Sequence, residues 1–528
     1  MAAALHFRTC PLCEATCGLE VSVEDGRVRR IRGDLDDVFS RGFICPKGST
    51  LKQLHEDPDR LRVPLLRQSG EHRDTTWDEA FVEIDRRLMA IIAEHGPHSV
   101  GVYLGNPNVH NLSGMFWLRP LLHSLRSRNI FSASTVDQMP RHVSSGLMYG
   151  DPNAFVLPDL DRTSYLLILG ANPYESNGSL ATAPDWPGRL EAIQGRGGRI
   201  VVVDPRRTRT AEAADEHIFI RPGSDALLLC ALANVIASEG LVDVGAAGAH
   251  LNDLDVALDA VSGFTPERVE EPTGIPAATI RRLARELAAA PTAAVYGRLG
   301  VHTVPSGTVA SWATDLLNTI TGNLDRPGGA MWGLGAHARR AAPEGGGRGY
   351  RIGRWASRVS GLAEVNGELP VAVLAEEIET EGPEQIRAMI TVGGNPILST
   401  PHSDRLERAF ARLEFMVSVD IYLNETTRHA DVVLPVPSHL ERSHYDVAFY
   451  SQSLRRIANY SPPLFATDQP SESDILGRLA MIVRGEGPRA DPAVIEDELM
   501  DGVLSHAVGD PHSNVFGRDP QELRTMVE

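Results

Sequence analysis

Four cysteines near the amino terminus constrain the fold of this chain more than any other feature of its sequence. Cys10, Cys13 and Cys17 have the spacing C-x2-C-x3-C, and Cys45 follows after 27 further residues. Three close thiolates with one remote thiolate match the ligand set of a [4Fe–4S] cluster, which the spacing therefore predicts. The segment between Cys17 and Cys45 must then return to the first three cysteines. The fifth cysteine, Cys230, lies in an apolar helical run and is predicted to be a core residue.

From the residues alone, three alternatives to an iron–sulfur cluster remain open for these thiols. A structural zinc ion also binds four thiolates, but zinc ribbons usually carry two C-x2-C pairs, which this chain does not show. Disulfides need an oxidising compartment, and residues 1–9 contain neither an apolar signal segment nor a twin-arginine pair. The third alternative is that the thiols remain free. Reduced thiols without a targeting segment predict a cytoplasmic protein.

Composition limits the function classes further. A chain of 528 residues should divide into several domains. Its net charge of −18 argues against nucleic acid as a partner, because an acidic surface repels phosphate. The sequence has no apolar run approaching the length of a membrane-spanning helix, so we expect none.

Strand and helix patterns alternate along most of the chain, which predicts an α/β fold. An Asp25-Gly26 hairpin lies between Cys17 and Cys45, and Thr76 and Glu79 form a capping box before a helix. Apolar strands are predicted at 99–105, 165–169, 199–203, 218–220, 293–296, 388–392 and 415–419. Helices are predicted at 188–194, 225–238 and 276–289, and a long surface loop at 333–359. The expected architecture is a small β-rich amino-terminal domain followed by two Rossmann-like α/β domains with mainly parallel sheets.

Two of the predicted strands end in related sequences. One continues as Gly170-Ala-Asn172-Pro173 and the other as Gly393-Gly-Asn395-Pro396. Glycine lets a ligand approach the backbone closely, and the asparagine amide offers both a donor and an acceptor. Open α/β sheets bind ligands at the carboxyl ends of their strands. The repeat therefore suggests two nucleotide-like sites, although each sequence alone also fits an ordinary turn.

The motifs taken together, in their order along the chain, resemble the molybdopterin oxidoreductase family. The segments that carry the resemblance span nearly the whole chain: the four cysteines with Lys47-Gly48, Trp77-Asp-Glu-Ala80, Leu169-Gly-Ala-Asn-Pro173, Val203-Asp-Pro-Arg-Arg-Thr208, Pro222-Gly-Ser-Asp225, Thr321-Gly-Asn-Leu-Asp-Arg-Pro-Gly-Gly329, Val392-Gly-Gly-Asn-Pro396 and Ala430-Asp-Val-Val-Leu-Pro435. The resemblance implies a [4Fe–4S] cluster, a bis-(molybdopterin guanine dinucleotide) cofactor, and Mo or W. It also implies two-electron oxidation or reduction of a small substrate, such as formate or nitrate, with an electron-transfer protein as partner.

The resemblance assigns roles to individual residues. Lys47 would lie between cluster and pterin. One dinucleotide would be bound by Gly170, Asn172, Asp204, Arg206, Thr208, Gly223 and Asp225. The other would be bound by Gly393, Asn395, Asp420, and Glu425 or Thr426. The implied domains are the cluster domain at 1–62, the second dinucleotide side at 63–150 with 330–480, the first dinucleotide side at 151–329, and a tail or linker at 481–528.

The protein ligand to the metal is not a cysteine here. Counting back from Gly150 as the family would places Asp137 at the ligand position, with Ser134 and Thr135 as weaker candidates. A carboxylate oxygen suits high-valent Mo or W. Arg141 and His142 could face the metal and handle protons. Gln138 stands where formate dehydrogenases carry a histidine, which argues against a typical member of that group.

The chain also departs from the family at its carboxyl end, where a further β-barrel domain usually completes both dinucleotide sites. This departure leaves open a fragment, a protein completed by a second chain, and a degenerate member. Two alternatives of function stay open as well. One is an iron–sulfur scaffold subunit without a catalytic metal, and the other is a non-redox hydratase on the same fold.

Overall fold

The computed structural model describes residues 4–337, 349–511 and 513–527. Its strands are β1 (Ala4–Thr9), β2 (Gly18–Glu24), β3 (Arg27–Gly33), β4 (Leu65–Gln68), β5 (Glu71–Asp74), β6 (Val100–Leu104), β7 (Ile130–Ser132), β8 (Val156–Pro158), β9 (Tyr165–Leu169), β10 (Arg199–Val203), β11 (Glu216–Ile218), β12 (Ala293–Gly297), β13 (Ala330–Trp332), β14 (Ala388–Val392), β15 (Phe415–Val419) and β16 (Val432–Leu434).

The helices of the described residues surround these strands. They are α1 (Pro46–Ser49), α2 (Leu51–Glu56), α3 (Trp77–His95), α4 (Leu112–Leu125), α5 (Met139–Tyr149), α6 (Pro173–Ser176), α7 (Trp186–Gly195), α8 (Arg209–Ala213), α9 (Asp225–Ser238), α10 (Leu254–Val261), α11 (Pro266–Thr273), α12 (Ala277–Ala289), α13 (Leu299–His302), α14 (Gly307–Ile320), α15 (Leu374–Glu379), α16 (Pro396–Ser399), α17 (Ser403–Phe410), α18 (Val447–Tyr450), α19 (Glu472–Val483), α20 (Ala493–Gly509) and α21 (Pro520–Val527).

The amino-terminal part is a three-stranded antiparallel sheet of order β1-β2-β3. The predicted hairpin is confirmed: Asp25 and Gly26 both have positive φ, 51° and 72°, as a tight turn between twisted strands requires. Val21, Val28 and Leu19 pack beneath the sheet with Leu51 of α2. This small core ties the segment between Cys17 and Cys45 to the cysteine loop.

Two larger sheets form the rest of the molecule. The first has the order β11-β10-β9-β12 and is parallel throughout. The second has the order β5-β4-β16-β15-β14-β6-β7, and its five strands from β16 to β7 are parallel. The predicted α/β fold with mainly parallel sheets is confirmed.

Alternate residues of the central strands enter different cores, which explains their continuous apolar sequences. In β9, Leu166 and Ile168 face the core that contains Trp186, whereas Leu167 and Leu169 face the core built by α9, α12 and α14. The second sheet separates two cores in the same way. Its strands come from two parts of the sequence, one before and one after the segment that forms the first sheet. The domain boundaries inferred from the sequence stay a prediction.

Some elements differ from those predicted. The strand expected at 218–220 occupies Glu216–Ile218, because only these residues pair with Val201–Val203 of β10. Helix α5 was not predicted, although Pro140 suits its first turn. The tail expected at 481–528 contains α20 and α21, and Ile495 of α20 is fully buried in a core. Of the loop expected at 333–359, residues 338–348 lie outside the described residues.

Among the described residues, the structure has no helix that is both long and apolar enough to cross a membrane. The cytoplasmic location stays a prediction.

Candidate active site and cofactor-binding motifs

The cysteine loop is closed by its own backbone. The amide of Cys10 donates to the carbonyl of Cys17 at 2.8 Å, and Thr16 adopts a positive φ of 47° beside it. Cys45 directly precedes α1, and a Cβ at Gly48 of this helix would be in van der Waals contact with Sγ of Cys10, at 3.5 Å. The segment between Cys17 and Cys45 therefore returns the fourth cysteine to the first three, as the spacing requires.

The chemistry of this loop fits a metal cluster. All five cysteines are free, so the disulfide alternative is wrong for this structure. Burial raises the pKa of Cys10 to about 12, and it also raises the pKa of Cys13 and Cys17. Buried thiols of this kind become stable thiolates when a metal centre binds them. Among the described residues, no group of three or more His, Cys, Asp or Glu side chains is already placed to hold a single metal ion.

Lys47 lies in α1, two residues after Cys45, and is exposed. It is close enough to Cys10 and Cys13 for its positive charge to lower the pKa of both thiols. The structure thus places Lys47 beside the cysteines, and its proposed role between cluster and pterin stays a prediction.

The first glycine–asparagine sequence forms a defined hydrogen-bonded motif at the end of β9. Gly170 has a φ of +54°, and a Cβ there would lie 2.8 Å from Cα of Gly300. Oδ1 of Asn172 accepts a hydrogen bond from Oγ1 of Thr210 at 2.7 Å. The amide of Tyr174 donates to the same Oγ1 at 3.1 Å.

The second sequence repeats this geometry at the end of β14. Gly393 has a φ of +58°. Oδ1 of Asn395 accepts from Oγ1 of Thr426 at 2.7 Å, and the amide of Ile397 donates to that Oγ1 at 3.2 Å. We call these arrangements the first Asn–Thr motif (Gly170, Asn172, Thr210) and the second Asn–Thr motif (Gly393, Asn395, Thr426). Two independent segments have thus adopted the same local structure at the carboxyl end of a parallel strand.

Thr210 was missed by sequence analysis, which named Thr208 instead. Thr208 caps α8 by accepting a hydrogen bond from the amide of Ala211 at 3.1 Å. One signal could have identified Thr210. It lies seven residues after the last residue of β10, and Thr426 lies seven residues after the last residue of β15.

Carboxylates that are buried or partly buried lie next to both motifs. Asp204 and Asp420 directly follow β10 and β15, and burial raises the pKa of both, that of Asp420 to about 6. Burial also raises the pKa of Asp225, at the start of α9, to about 6, and the charge of neighbouring Asp204 raises it further. Gly223 has a φ of +84° with open space around it, whereas Arg206 and Glu425 are exposed. Nδ2 of Asn395 donates to Glu425 at 2.7 Å.

A small cavity lies at the carboxyl end of β12. Its lining residues are Arg141, Phe155, Val156, Leu180, Val295, Tyr296, Gly297, Arg298, His302, Ser311, Thr314 and Asp315. Arg298 is buried and donates through Nη2 to Oγ of Ser179 at 2.6 Å and through Nη1 to Nδ1 of His302 at 3.2 Å. Its Nε has no hydrogen-bond partner among the described residues. The cavity thus contains a buried cation with unused hydrogen-bonding capacity.

Asp137 lies in the segment between β7 and α5, close enough to Arg298 of this cavity for the two charges to interact. Burial raises its pKa to about 6, while the nearby Arg298 lowers that pKa. Its Oδ1 is buried and has no hydrogen-bond partner among the described residues. Oγ1 of Thr135, by contrast, is bonded to the carbonyl of Ser132 and the amide of Val371. Of these two candidates, Asp137 is therefore the one with a free oxygen.

Arg141 and His142 lie on α5 and are buried. Nη1 of Arg141 donates to Oδ2 of Asp315 at 2.7 Å, so its charge is paired. Nδ1 of His142 lies 2.9 Å from the carbonyl oxygen of Pro152. Burial lowers the pKa of His142 to about 4, and Arg298 and Arg141 lower it further, so the ring is neutral near pH 7.

Glu14 connects the cysteine loop to this cavity and was also missed by sequence analysis. Its carboxylate accepts hydrogen bonds from Oγ of Ser179 at 3.0 Å and from the amide of Leu180. Ser179 in turn accepts from Arg298, so one hydrogen-bonded chain runs from the cysteine loop to the cavity. The position of Glu14 between Cys13 and Cys17 was the available signal. Arg298 was missed as well, and the sequence around it contains no signal that would place it near Asp137.

Comparisons with known proteins decide the family. The family model described as molybdopterin oxidoreductase matches residues 60–465, and the one described as the molybdopterin oxidoreductase Fe4S4 domain matches residues 8–56. The chain belongs to the molybdopterin oxidoreductase family. It is therefore an oxidoreductase with a [4Fe–4S] cluster and a molybdopterin cofactor with Mo or W.

Individual relatives agree with this assignment. The chain is 28% identical over 477 residues to the alpha subunit of F420-dependent formate dehydrogenase 2 of Methanococcus maripaludis, covering 88% of this chain and 67% of the relative. It is 26% identical to the assimilatory nitrate reductase catalytic subunit of Bacillus subtilis, covering 82% of this chain and 62% of that protein. The chain thus spans about three fifths to two thirds of these relatives.

The fold is also similar to that of a solved structure, acetylene hydratase from Pelobacter acetylenicus. The TM-score is 0.74 at 22% sequence identity, over 92% of this chain and 70% of that chain. At this identity the likeness concerns the fold alone.

Proposed function

We propose that this molybdopterin oxidoreductase binds Mo or W through two pterin guanine dinucleotides and catalyses two-electron oxidation or reduction of a small substrate such as formate or nitrate. One observation carries the proposal. A buried carboxylate oxygen of Asp137 lacks a hydrogen-bond partner among the described residues, and so does the buried Nε of the nearby Arg298, which lines the cavity. Buried polar groups are normally paired, so two unpaired groups of opposite charge indicate a ligand site.

The two Asn–Thr motifs support two dinucleotides. Each motif places a glycine with positive φ at the carboxyl end of a parallel strand, where open α/β sheets commonly bind ligands. Asp204 and Asp225 lie together near the first motif, where a carboxylate can accept hydrogen bonds from the amino edge of guanine. Asp420 lies at the corresponding place after β15.

Asp137 fits the role of protein ligand to the metal. Carboxylate oxygen is a hard donor that suits a high-valent metal. Its Oδ1 is free, whereas Oγ1 of Thr135 is bonded to backbone groups. When bound, the metal–pterin group supplies two-electron exchange with the substrate, and the iron–sulfur cluster accepts or donates electrons singly.

The residues around the cavity are positioned to bind a small polar substrate. Arg298 is fixed by Ser179 and His302, and its free Nε can donate to a substrate oxygen. Because Nδ1 of His302 accepts from Arg298, the proton of its neutral ring is on Nε2. Phe155 and Leu180 contribute apolar walls to the same cavity.

Asp137→Asn tests this proposal, with Asp255→Asn on the exposed surface of α10 as control. Turnover of formate and nitrate is measured anaerobically with a viologen as artificial electron acceptor or donor. We expect Asp137→Asn to lower turnover by about a hundredfold while the guanine-containing pterin is retained, and the control to match the wild type. Unchanged turnover in Asp137→Asn would refute the ligand assignment. Turnover of an unsaturated substrate without any acceptor would favour the hydratase alternative.

A further inference from the structure

A buried histidine and a buried aspartate face each other outside the cavity. His110 is the last residue of a short 3-10 helix that follows β6, and Asp446 caps α18 by accepting a hydrogen bond from the amide of Phe449 at 3.0 Å. Nδ1 of His110 lies 3.0 Å from Oδ2 of Asp446, and the two side chains are only 3% and 0% exposed. The two positions are 336 residues apart in sequence, so the pair exists only in the folded chain.

This contact fixes the tautomer of the histidine. An ionised carboxylate can only accept hydrogen bonds, so Nδ1 of His110 carries the proton and donates it to Asp446. Nε2 then holds a free lone pair, and it has no hydrogen-bond partner in the described part of the chain. The ring of Phe449 stacks on the imidazole with its centroid 4.6 Å away, which holds this orientation. A histidine that only filled the core would normally use both ring nitrogens, whereas a carboxylate-held ring with one free nitrogen suits proton transfer.

Hydrogen bonds attach the segment that carries Asp446 to the end of β1. The amide of Thr9 donates to Oγ of Ser461 at 2.8 Å, and Ser461 exchanges two backbone hydrogen bonds with His444 at 2.8 and 2.9 Å. The hydroxyl groups of Thr9 and of Tyr450 in α18 lie 3.4 Å apart. Since the cysteine loop begins directly after Thr9, the pair has a fixed position close to that loop.

The pair is also close to the residues around the cavity. Burial raises the pKa of Glu14, whereas the charges of Arg298 and His110 lower it. Burial raises the pKa of Asp137 as well, while Arg298 lowers that pKa and Glu14 raises it. Such effects between charges extend over short distances inside a protein. His110 therefore belongs to the same cluster of polar groups as the candidate metal ligand and the cavity arginine.

On its other side, Asp446 lies near an exposed titratable group. His337 is exposed, and its Nδ1 lies 3.0 Å from the hydroxyl group of Tyr445, which directly precedes Asp446. Burial lowers the pKa of His337, whereas a hydrogen bond with the backbone of Val447 and the charge of Asp446 raise it. The pair thus lies between the cavity residues and a histidine that contacts solvent.

The other charged groups around the pair do not replace it. They come from β1, the cysteine loop, the segment before α18 and the segment after β13, and they are Arg8, Glu14, His439, Arg442, His444 and His337. Burial lowers the pKa of both His439 and His444, so these rings are neutral near pH 7. Of the three buried histidines in this cluster, His110 alone is hydrogen-bonded to a carboxylate.

We propose that His110 and Asp446 form a proton-transfer dyad that exchanges protons between the cavity and solvent during turnover. This inference rests on the proposed function. In the oxidative direction, the substrate gives two electrons to the bound cofactor and loses one proton, which forms an N–H bond at Nε2 of His110. Asp446 stabilises the resulting imidazolium, which then releases a proton to solvent and becomes neutral again. In the reductive direction the proton moves the opposite way.

The first test uses the full chain with its cofactors. The variants are His110→Ala and Asp446→Asn, of which the second removes the charge but keeps an oxygen for the amide of Phe449. His123→Ala changes an exposed histidine of α4 and is the matched control. Viologen turnover is measured in H2O and in D2O, and guanine nucleotide and iron–sulfur absorbance are measured on the same preparations.

We expect both dyad variants to lose about a hundredfold in turnover while they retain nucleotide and absorbance, and the control to match the wild type. The ratio of turnover in H2O to that in D2O should rise in these variants, because proton transfer becomes the slow step. Wild-type turnover in both variants would overturn the dyad. A large loss with an unchanged isotope ratio would also overturn it, since the pair would then have only a structural role.

A second measurement does not depend on turnover. Hydrogen exchange at C2 of each histidine, followed by mass spectrometry over a range of pH, reports whether that ring takes up a proton. In Asp446→Asn the midpoint for His110 should move to lower pH by about one unit, because the carboxylate no longer stabilises the imidazolium. An unmoved midpoint would overturn the dyad whatever the activity. Absence of viologen turnover in the wild type would instead refute the proposed function.

Discussion

At the scale of single residues, the least expected feature is the series of hydrogen bonds that connects Glu14, Ser179 and Arg298. It joins side chains that are far apart in sequence, and Ser179 holds both charged neighbours through one hydroxyl group. Burial raises the pKa of Glu14, whereas the nearby Arg298 lowers it. A hydrogen bond to a charged group contributes about 1.5–3 kcal/mol, so Ser179 should control the position of Arg298.

Replacing Ser179 with alanine should therefore lower kcat/KM by about tenfold to a hundredfold, because Arg298 is no longer fixed in the cavity. The cofactor content and the iron–sulfur absorbance should stay as in the wild type. Ser179→Thr keeps the hydroxyl group and should recover most of the activity. Equal kinetics for Ser179→Ala and the wild type would show that Arg298 is positioned by other contacts.

His444 makes stability depend on pH. Burial lowers its pKa to about 4, with Asp446 raising that pKa and Arg442, His110 and Arg8 lowering it. The unfolded chain, with a histidine pKa of about 6.5, binds the proton more readily than the folded protein between these values. The stabilisation by neutral His444 is therefore present above pH 6.5 and lost on acidification, by about 1 kcal/mol per pH unit.

We expect His444→Gln to show a smaller fall in the free energy of unfolding between pH 6.5 and 5 than the wild type. Denaturant unfolding at a series of pH values measures this slope. His250→Gln changes an exposed histidine and should leave the slope unaltered. A variant slope equal to that of the wild type would mean that His444 does not carry the effect.

Sequence analysis could name the four cysteines from their spacing and Asp137 from its distance to Gly150, because both signals lie within short stretches of sequence. It could not find Arg298, since its relation to Asp137 exists only after two sheets have assembled. Glu14 was visible between two cysteines, but a single carboxylate in a loop is more often exposed than buried. Burial, which gives these residues their chemistry, is a property of the assembled chain.

At the scale of elements, the two Asn–Thr motifs show how much a short repeat can predict. The glycine, asparagine and proline positions were recognisable because they are contiguous. Thr210 was not, because it belongs to α8, which follows the next strand, and it contacts Asn172 only because β9 pairs in parallel with β10. The shift of β11 by two residues has a similar origin, since pairing with β10 fixed its position.

The motifs predict the effect of removing one hydroxyl group. Thr210→Val and Thr426→Val keep the shape of the side chain but remove its hydrogen bond to Oδ1 of the asparagine. They also leave the amides of Tyr174 and Ile397 without the hydroxyl acceptor, and an unsatisfied buried group costs about 1–3 kcal/mol. We expect each variant to retain less guanine nucleotide after purification. Thr210→Ser and Thr426→Ser preserve the hydroxyl group and should retain it fully. Full retention in both valine variants would separate these motifs from dinucleotide binding.

At the scale of the whole molecule, the alternation of strands and helices predicted the fold class, but it did not predict the strand order. The seven-stranded sheet places β6 beside β14, although nearly 300 residues separate them in sequence. Such pairings depend on which apolar faces meet after the chain has collapsed. The same assembly brings the carboxyl ends of two sheets, the cavity and the cysteine loop together. The proposed chemistry requires that these parts of the chain are close in space.

Analysis of metals and nucleotides in anaerobically purified protein tests the central claim most directly. The account predicts about four iron atoms, about one molybdenum or tungsten atom, and two guanine nucleotides per chain, with a brown colour that is lost when Cys45 is replaced by alanine. Colourless protein that contains zinc instead of iron and has no guanine-containing pterin would contradict it.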